Sequence, residues 1–210
     1  MCNICGGAVR AFGELLQCRV CGHIFQADLT PTVRYDAQYL SRYDTYPVNQ
    51  MSYLRLGFLK AFKHGGRLLD IGCGNGVFVR VSRQAGFHSF GHDVHGADVG
   101  VPMVDLDSTL HWDVVTLYDS LEHMASFSGA LAAAARAGCV IVSTPWTPNW
   151  FPLCREWKHY KPGEHLHYFR TGSLRRLFQG KRVAYTGSLE DAIRGRRIDG
   201  GPNILTMVFQ

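Results

Sequence analysis

The chain contains 210 residues, 46% of them hydrophobic and 19% charged, and carries a formal net charge of +5 at neutral pH. This length and composition suit one real hydrophobic core with a small appendage. No uninterrupted apolar stretch reaches membrane-spanning length and no basic-then-apolar segment opens the sequence, so neither a bilayer span nor a secretory signal is predicted. We therefore expect a cytoplasmic, reducing location, in which the seven cysteines act as metal ligands and buried thiols and not as a disulfide framework.

The first segment of the chain, residues 1–28, contains two C-x-x-C-G knuckles separated by residues 6–17. Two such knuckles direct four thiolates at one tetrahedral ion, so a zinc ribbon is predicted here. Four thiolates close the coordination shell, and the zinc is therefore expected to be structural, although His23 could compete as a ligand. The predicted ligands are Cys2, Cys5, Cys18 and Cys21, whereas Cys73, Cys139 and Cys154 are expected to be packing residues.

Residues 29–62 link this ribbon to the rest of the chain and are rich in tyrosine. Four of the tyrosines follow one another at intervals of four, four and three, which places them on one face of a helix. They are Tyr35, Tyr39, Tyr43 and Tyr46. The simplest interpretation of this face is a packing stripe. Pro47 interrupts the segment, and a helix over 51–63 is predicted to begin the core proper.

Residues 68–76 change from an apolar run to a glycine turn, at a point where a strand would pass into a helix. Gly72, Gly74 and Gly76 allow positive φ and close approach of the backbone to a ligand, and Asp70 lies at the edge of the turn. The dinucleotide pattern G-x-G-x-x-G is not met, because valine follows the last glycine, and the phosphate-loop ending Gly-Lys-Ser/Thr is absent from the run. A tight turn without a ligand is the alternative interpretation.

Two further strands, each ending in an aspartate, are predicted after the turn. The first covers 87–92 and ends at Asp93, at the position where a second parallel strand delivers a carboxylate to ribose hydroxyls. The second covers 101–104 and ends at Asp105. Both aspartates could instead be ordinary turn carboxylates.

A fourth strand then leads into the segment D-x-L-E-H at 119–123, and a fifth strand is predicted over 138–144. The glycine turn resembles the first motif of class I S-adenosylmethionine-dependent methyltransferases. The D-x-L-E-H segment resembles a signature of their ubiquinone-methyltransferase-like branch. This resemblance covers 66–208 and implies an α/β, Rossmann-like fold with a seven-stranded mixed sheet, a core domain over 63–210, and S-adenosylmethionine as the cofactor.

The resemblance also implies roles for individual residues. Residues 29–62 become an aromatic helical lid, with Tyr39 or Tyr43 beside the sulfonium. Asp93 would bind the ribose and Asp105 the adenine amino group. The segment between Asp93 and Trp112 is too short for a full helix as well as the third strand, so the usual third helix is expected to be lost or reduced to a turn. The implied cofactor-binding set is Asp70, Gly72, Gly74, Asp93, Asp105 and Leu117.

Residues 164–169 place two imidazoles, a carboxylate and a phenol before a helix predicted to start near 171–173. The segment resembles one found after the fifth strand in relatives that include zinc-bearing sugar C-methyltransferases, whose long zinc domain has no match here. The resemblance implies proton handling by Glu164 and His165, with His167 beside them. Alternating burial of the two histidines on a strand end is the other interpretation, and His123 is a rival base or a helix cap.

The region 155–197 carries 11 of the 22 Lys and Arg residues but only four acidic residues. This excess suits an anionic partner, such as a nucleotide-linked sugar or a nucleic acid, although solvated faces explain most such runs. A last antiparallel hairpin is predicted over 185–208. We predict a methyltransferase for O- or C-methylation of a small or nucleotide-linked acceptor. The alternatives are a nucleic-acid methyltransferase and a non-catalytic zinc-ribbon binding module, and the oligomeric state is left open.

Overall fold

Two β-sheets organise the chain. The computed structural model describes residues 1–33, 36, 38, 48–94, 98–148, 157–197 and 199–210. The strands are β1 (Val9–Phe12), β2 (Leu15–Cys18), β3 (Ile24–Phe25), β4 (Gly66–Ile71), β5 (Phe87–His92), β6 (Trp112–Tyr118), β7 (Ala137–Pro145), β8 (His167–Tyr168), β9 (Val183–Gly187) and β10 (Ile204–Phe209). The helices are α1 (Val48–Lys60), α2 (Val77–Gln84), α3 (Ser128–Ala135), α4 (Thr171–Leu177) and α5 (Asp191–Arg194), with a 3-10 turn at Leu121–His123. Within these ranges no helix has both the length and the apolar character to cross a membrane.

The core sheet has the strand order β5-β4-β6-β7-β10-β9. The first four strands run parallel, and β10 is antiparallel to both of its neighbours. The central strands β6 and β7 are buried on both faces, as expected for parallel strands that read as near-continuous apolar runs. The carboxyl ends of β4, β5 and β6 therefore meet at one edge, where α/β sheets of this kind bind ligands.

Alternate side chains of the central strands face two separate apolar cores. Val115 of β6 packs on one face with Phe169 and with Leu174 of α4. Val114 packs on the other face with Leu59 of α1, beside α2. This alternation is the period of two that a strand imposes, and it fixes the register of the sheet.

The predicted third strand, over 101–104, does not form as a strand of this sheet. A single parallel bridge joins Gly91 to Met103 in its place, through hydrogen bonds from Gly91 N to the Pro102 oxygen and from Val104 N to the Gly91 oxygen. Pro102 has no N–H for a ladder, and the short connection gives little chain on either side. The expected loss of the third helix is confirmed for the described residues 98–111.

Most other predicted elements have the expected positions. The strands over 87–92 and 138–144 and the closing antiparallel hairpin are present. The helix predicted over 51–63 begins three residues earlier, at Val48. The four tyrosines of the predicted lid lie outside the described residues, so the lid stays a prediction.

The ribbon sheet includes a strand from the core. β1, β2 and β3 form an antiparallel meander, and β8 adds to it beside β3. Ile24 pairs with Tyr168 and Phe25 with His167. The segment that carries the predicted catalytic histidines is therefore held by the ribbon.

Candidate active site and metal centre

A cavity of about 870 Å³ opens at the carboxyl ends of the parallel strands. One wall is the glycine turn after β4, with Asp93 at the end of β5. The opposite wall comes from the 3-10 turn after β6 and from the segment that precedes β8. Residues that are far apart in the sequence therefore line the same cavity. The predicted site residues on its lining are Asp70, Gly72, Gly74, Asp93, Glu164 and His165, with His123 as the rival base.

The glycine turn needs glycine for two physical reasons. Gly72 and Gly74 have φ of 80° and 53°, in the left-handed region that favours glycine. A Cβ added at Gly72 would overlap the side chain of Ser120, so the turn and the segment after β6 approach closely. The turn therefore presents bare backbone to the cavity.

Two carboxylates border this turn. Asp93 Oδ2 accepts a hydrogen bond of 2.8 Å from Gly74 N, which fixes the aspartate against the turn. Asp70 is 3% exposed and accepts a hydrogen bond of 2.7 Å from Thr116 Oγ1. Burial raises the pKa of Asp70 to about 6. Both groups favour a ligand that carries hydroxyls and positive charge.

Two residues of the predicted cofactor set lie away from the cavity. Asp105 is exposed, and the neighbouring Leu106 is on the wall instead. Leu117 is fully buried in the apolar core, because its position in β6 turns its side chain towards α3 and α4. The end of β6 contributes Tyr118, Asp119 and Ser120 to the wall.

Glu122, His123 and His165 form a compact group, which we call the His–Glu cluster. One carboxylate oxygen and one nitrogen from each ring lie within 4.8 Å of one another. The two imidazoles meet edge to face, with centroids 4.8 Å apart and an angle of 83°. Burial lowers the pKa of both rings, that of His165 far below the usual range. Both are therefore neutral at physiological pH.

Glu164 and His165, which the resemblance implied in proton handling, have different hydrogen-bond partners in the structure. The Glu164 carboxylate accepts a hydrogen bond of 3.0 Å from Lys161 Nζ. His165 Nδ1 instead lies 2.8 Å from the carbonyl oxygen of His159. The tight turn over 161–164 explains the difference, because it directs the Glu164 side chain back along its own turn and its carbonyl towards His123.

His167 lies in the interface between the ribbon and the core, and not on the cavity. It is 1% exposed, its Nε2 is 2.8 Å from the Met124 carbonyl oxygen, and its Nδ1 is 3.1 Å from Nε2 of the buried His23. A carbonyl only accepts, so His167 carries its hydrogen on Nε2 and accepts from His23. His167 thus connects the two sheets and is not placed to act on a substrate.

An ion-pair network on the cavity wall was missed by the sequence reasoning. Arg55 of α1 contacts Glu190 at 2.7 Å and Asp119 at 2.8 Å, and its guanidinium lies 4.3 Å from the centre of the Tyr118 ring. Arg194 pairs with the same two carboxylates. Although burial opposes ionisation, these arginines lower the pKa of Asp119 to about 2. The sequence did single out the D-x-L-E-H segment that contains Asp119. It could not identify the ion-pair partners of Asp119, because they come from distant parts of the chain.

The four ribbon cysteines meet as predicted. Their sulfurs lie within 4.8 Å of one another, with 3.7 Å between Cys2 and Cys21 and 3.5 Å between Cys5 and Cys18. These separations are far longer than a disulfide bond of about 2.05 Å. They match the edge of about 3.8 Å that a tetrahedron with Zn–S bonds of about 2.3 Å requires. The thiol set therefore fits zinc in number, type and spacing.

Most described basic residues of 155–197 have internal partners. Lys181 donates to the Ala137 carbonyl oxygen at the start of β7, and Arg170 donates to the Pro148 carbonyl oxygen. The residues held in this way are Lys161, Arg170, Lys181, Arg182, Arg194, Arg196 and Arg197. Most of the described basic side chains in this region thus already have a partner within the protein.

The glycine turn, the carboxylate after β5 and the sheet order together define a class I S-adenosylmethionine-dependent methyltransferase. Residues 43–181 match the model of a methyltransferase domain family. The chain belongs to this family, and it is an S-adenosylmethionine-dependent methyltransferase.

Relatives of known name agree with this class. The ubiquinone biosynthesis O-methyltransferase of Hahella chejuensis is 26% identical over 195 residues, which cover 73% of this chain and 82% of that protein. The enzyme of the same name from Burkholderia vietnamiensis is 29% identical over 123 residues, which cover 47% of this chain and 53% of that protein. The chain thus spans about half the length of the Burkholderia relative.

Solved structures share the fold. A SAM-dependent methyltransferase from Archaeoglobus fulgidus has a TM-score of 0.58 at 16% identity, over 82% of this chain and 97% of that one. Magnesium protoporphyrin IX methyltransferase from Synechocystis, with bound SAH, has a TM-score of 0.53 at 18% identity, over 77% of this chain and 83% of that one.

Proposed function

We propose that the protein transfers a methyl group to the hydroxyl oxygen of a small acceptor that lies between the glycine turn and the His–Glu cluster. The observation that carries this proposal is the single cavity lined by both. Its volume of about 870 Å³ lies in the upper part of the roughly 300–1,000 Å³ range of small-molecule sites. A cofactor and a small acceptor together suit such a space.

The cofactor wall fits S-adenosylmethionine in its chemistry. The bare backbone at Gly72 and Gly74 is open to the amino-acid part of the ligand, Asp93 can accept from two ribose hydroxyls, and Asp70 offers negative charge. When bound, S-adenosylmethionine supplies an electrophilic methyl group. The protein's contribution is to hold the acceptor oxygen in line and to exclude water.

The acceptor wall supports oxygen over carbon as the methylated atom. Relatives named as ubiquinone biosynthesis O-methyltransferases favour a small hydroxylated acceptor of this kind. The neutral imidazoles of His123 and His165 can accept a hydrogen bond from a hydroxyl. Lys158 and Lys161 also line the cavity, which keeps a phosphate-bearing acceptor such as a nucleotide sugar within the proposal.

The test is turnover of the variant His165→Ala on a panel of phenols and nucleotide-linked hydroxyl compounds. We expect kcat/KM to fall roughly a hundredfold or more, with S-adenosylmethionine affinity nearly unchanged, because His165 faces the acceptor and not the glycine turn. Glu164→Gln is the matched control and should change turnover far less, since its carboxylate bonds to Lys161. Full activity of His165→Ala, or an equal loss of cofactor binding, would contradict the assignment.

We also propose that Cys2, Cys5, Cys18 and Cys21 hold one structural zinc ion. The closed set of four thiolates leaves no position for water, so the metal would stabilise the ribbon without entering the chemistry. Metal analysis of protein purified without chelator should find this zinc, and Cys5→Ser should lose it. Cys139→Ala, which removes a buried thiol outside the set, should retain it. Full zinc content in Cys5→Ser would refute the proposal.

A further inference from the structure

The described lining of the cavity includes four cationic side chains, and one of them differs from the rest. They are Arg55, Lys158, Lys161 and Arg194. Arg55 and Arg194 share two carboxylates, and Lys161 Nζ lies 3.0 Å from the Glu164 carboxylate. In the part of the chain that the structure describes, Lys158 makes neither a hydrogen bond nor an ion pair. The cavity therefore carries a positive charge that no described residue neutralises by direct contact.

The electrostatic surroundings of Lys158 disfavour its charge. Partial burial first, and the positive charge of Arg194 second, lower the pKa of Lys158, and only Asp191 opposes them. The two carboxylate oxygens of Asp191 already accept hydrogen bonds of 2.9 Å from the backbone N–H groups of Asn203 and Ile204. An anion beside Lys158 would supply the compensation that Asp191 gives only weakly.

The backbone on both sides of Lys158 is fixed. Trp157 is buried, and its carbonyl oxygen accepts a hydrogen bond of 2.7 Å from Tyr160 N, which closes a turn around the lysine. On the other side, His159 Nε2 lies 3.0 Å from Oδ1 of the buried Asn203. Because this turn is already ordered, a ligand that binds there has less chain entropy to overcome.

The same turn borders the proposed position of the acceptor hydroxyl. The His159 carbonyl oxygen lies 2.8 Å from His165 Nδ1, and the two rings are stacked with centroids 6.2 Å apart. Lys158 precedes His159 and lines the same end of the cavity, opposite the glycine turn. A small molecule whose hydroxyl lies at His165 can therefore place a second group at Lys158.

We propose that Lys158 binds a negatively charged group of the methyl acceptor, a carboxylate or a phosphate ester, while the acceptor hydroxyl lies at His165. This inference rests on the proposed function and narrows its acceptor to a small hydroxylated acid. A lysine ammonium has three donors, and its hydrogen bonds to such anions are roughly twice as strong as bonds between neutral groups. An uncharged acceptor would leave Lys158 partly desolvated without a partner, which disfavours its binding.

The test is equilibrium binding of paired ligands to the full chain saturated with S-adenosylhomocysteine, which has no methyl group to transfer. One pair is para-hydroxyphenylacetate and its uncharged amide. The other pair is para-hydroxyphenyl phosphate and uncharged hydroquinone. Calorimetric titration should show at least tenfold tighter binding of the charged member in one of the pairs. The pair with the larger preference identifies the anionic group.

Variants of Lys158 assign this preference to its charge. Lys158→Gln should abolish the preference by weakening the charged ligand alone, and Lys158→Arg should retain it. Lys60→Gln is the matched control, because it removes an exposed lysine at the end of α1, outside the cavity lining, and should keep the full preference. Added salt should weaken binding of the charged ligand to the wild type and leave its binding to Lys158→Gln nearly unchanged.

Two results would overturn the proposal. The first is equal binding of charged and uncharged ligands by the wild type, or a preference that survives Lys158→Gln. The second is a loss of S-adenosylhomocysteine affinity in Lys158→Gln as large as the loss of affinity for the charged ligand, since Lys158 would then bind the carboxylate of the cofactor.

Failure of the proposed function would give a different result. A charge preference without methylation of the hydroxyl of any charged ligand would support the subsite and contradict the function. Methylation of uncharged hydroxyl compounds alone, at a rate that Lys158→Gln leaves unchanged, would support the function and overturn the subsite.

Discussion

At the residue scale, the cofactor wall depends on how the fold treats two carboxylates differently. Asp93 is held by Gly74 N at the end of β5, whereas Asp70 is buried against Thr116. We propose that Asp93 accepts hydrogen bonds from the ribose hydroxyls of the cofactor. Asp70, with a pKa raised to about 6 by burial, changes its charge close to physiological pH.

This raised pKa predicts a pH-dependent affinity for S-adenosylmethionine. Asp70 is largely neutral below pH 6 and ionised above it, and a positively charged ligand favours the ionised form. The affinity should therefore rise roughly tenfold between pH 5 and 7 and then level off. Titration calorimetry over this range checks it.

Asp70→Asn should remove the dependence and bind more weakly at pH 7. Asp113→Asn is the control, since this carboxylate accepts from Arg67 N at the opposite end of β4 and should leave the dependence intact. A flat profile in the wild type would contradict the role given to Asp70.

How far the site could be predicted differs between its residues. Local pattern located the glycine turn and Asp93, because turn geometry and strand ends are properties of short segments. The partners of Arg55, namely Asp119 and Glu190, come from segments far along the chain, and no local signal connects them. The resemblance implied that Glu164 and His165 handle a proton together, but the tight turn over 161–164 gives the two side chains different hydrogen-bond partners.

At the element scale, the ribbon supports the acceptor wall directly. β3 pairs with β8, and Gln26 extends the connection through two bonds, from its backbone N to the Leu166 oxygen at 2.9 Å and from its side chain to the His165 oxygen at 2.7 Å. The ribbon therefore fixes the backbone that carries His165. The sequence predicted the ribbon but not this pairing, because β8 is only two residues long and has no pattern of its own.

Gln26→Ala should loosen the acceptor wall. Loss of one side-chain hydrogen bond to a carbonyl is worth about 1 kcal/mol, so kcat/KM should fall about fivefold while S-adenosylmethionine affinity stays the same. Steady-state kinetics with a productive acceptor measure this. Gln17→Ala removes a ribbon glutamine that bonds to Arg10, and should leave kcat/KM unaffected. Equal effects of both changes would show that the ribbon acts only through general stability.

The third strand, predicted over 101–104, is the element that the sequence pattern did not predict correctly. The pattern at 101–104 is compatible with a strand, yet Pro102 and the short connection permit only one bridge to Gly91. The other predicted strands have no proline inside them to interrupt the ladder, and they formed.

At the scale of the whole molecule, buried ionisable groups should set an optimum of stability near pH 6.5. Burial lowers the pKa of five histidines, so below about pH 6.5 the unfolded chain binds protons that the folded chain does not. Stability is then lost as the pH falls. Two buried carboxyl groups have the opposite effect on stability. Their pKa is raised in the folded state, so as the pH falls the folded chain binds protons at these groups before the unfolded chain does. The histidines are His23, His123, His159, His165 and His167, and the carboxyls are Asp70 and Glu122.

Since the histidines outnumber the carboxyls, the free energy of unfolding should fall by roughly 2–4 kcal/mol between pH 6.5 and 5.5, at up to about 1.4 kcal/mol per group. Urea unfolding followed by circular dichroism measures it. His88→Gln, which changes an exposed histidine, should leave the slope unaltered. Stability that rises steadily from pH 7 to 5 would contradict the burial of these rings.

The most direct test of the account is titration of S-adenosylmethionine into wild-type protein, Asp93→Ala and Asp105→Ala. The structure places Asp93 on the cavity and leaves Asp105 exposed outside it, although the family pattern suggested both. We expect one site per chain, at least tenfold weaker binding for Asp93→Ala, and unchanged binding for Asp105→Ala. No binding to the wild type, or equal affinities of wild type and Asp93→Ala, would contradict the proposed cofactor site.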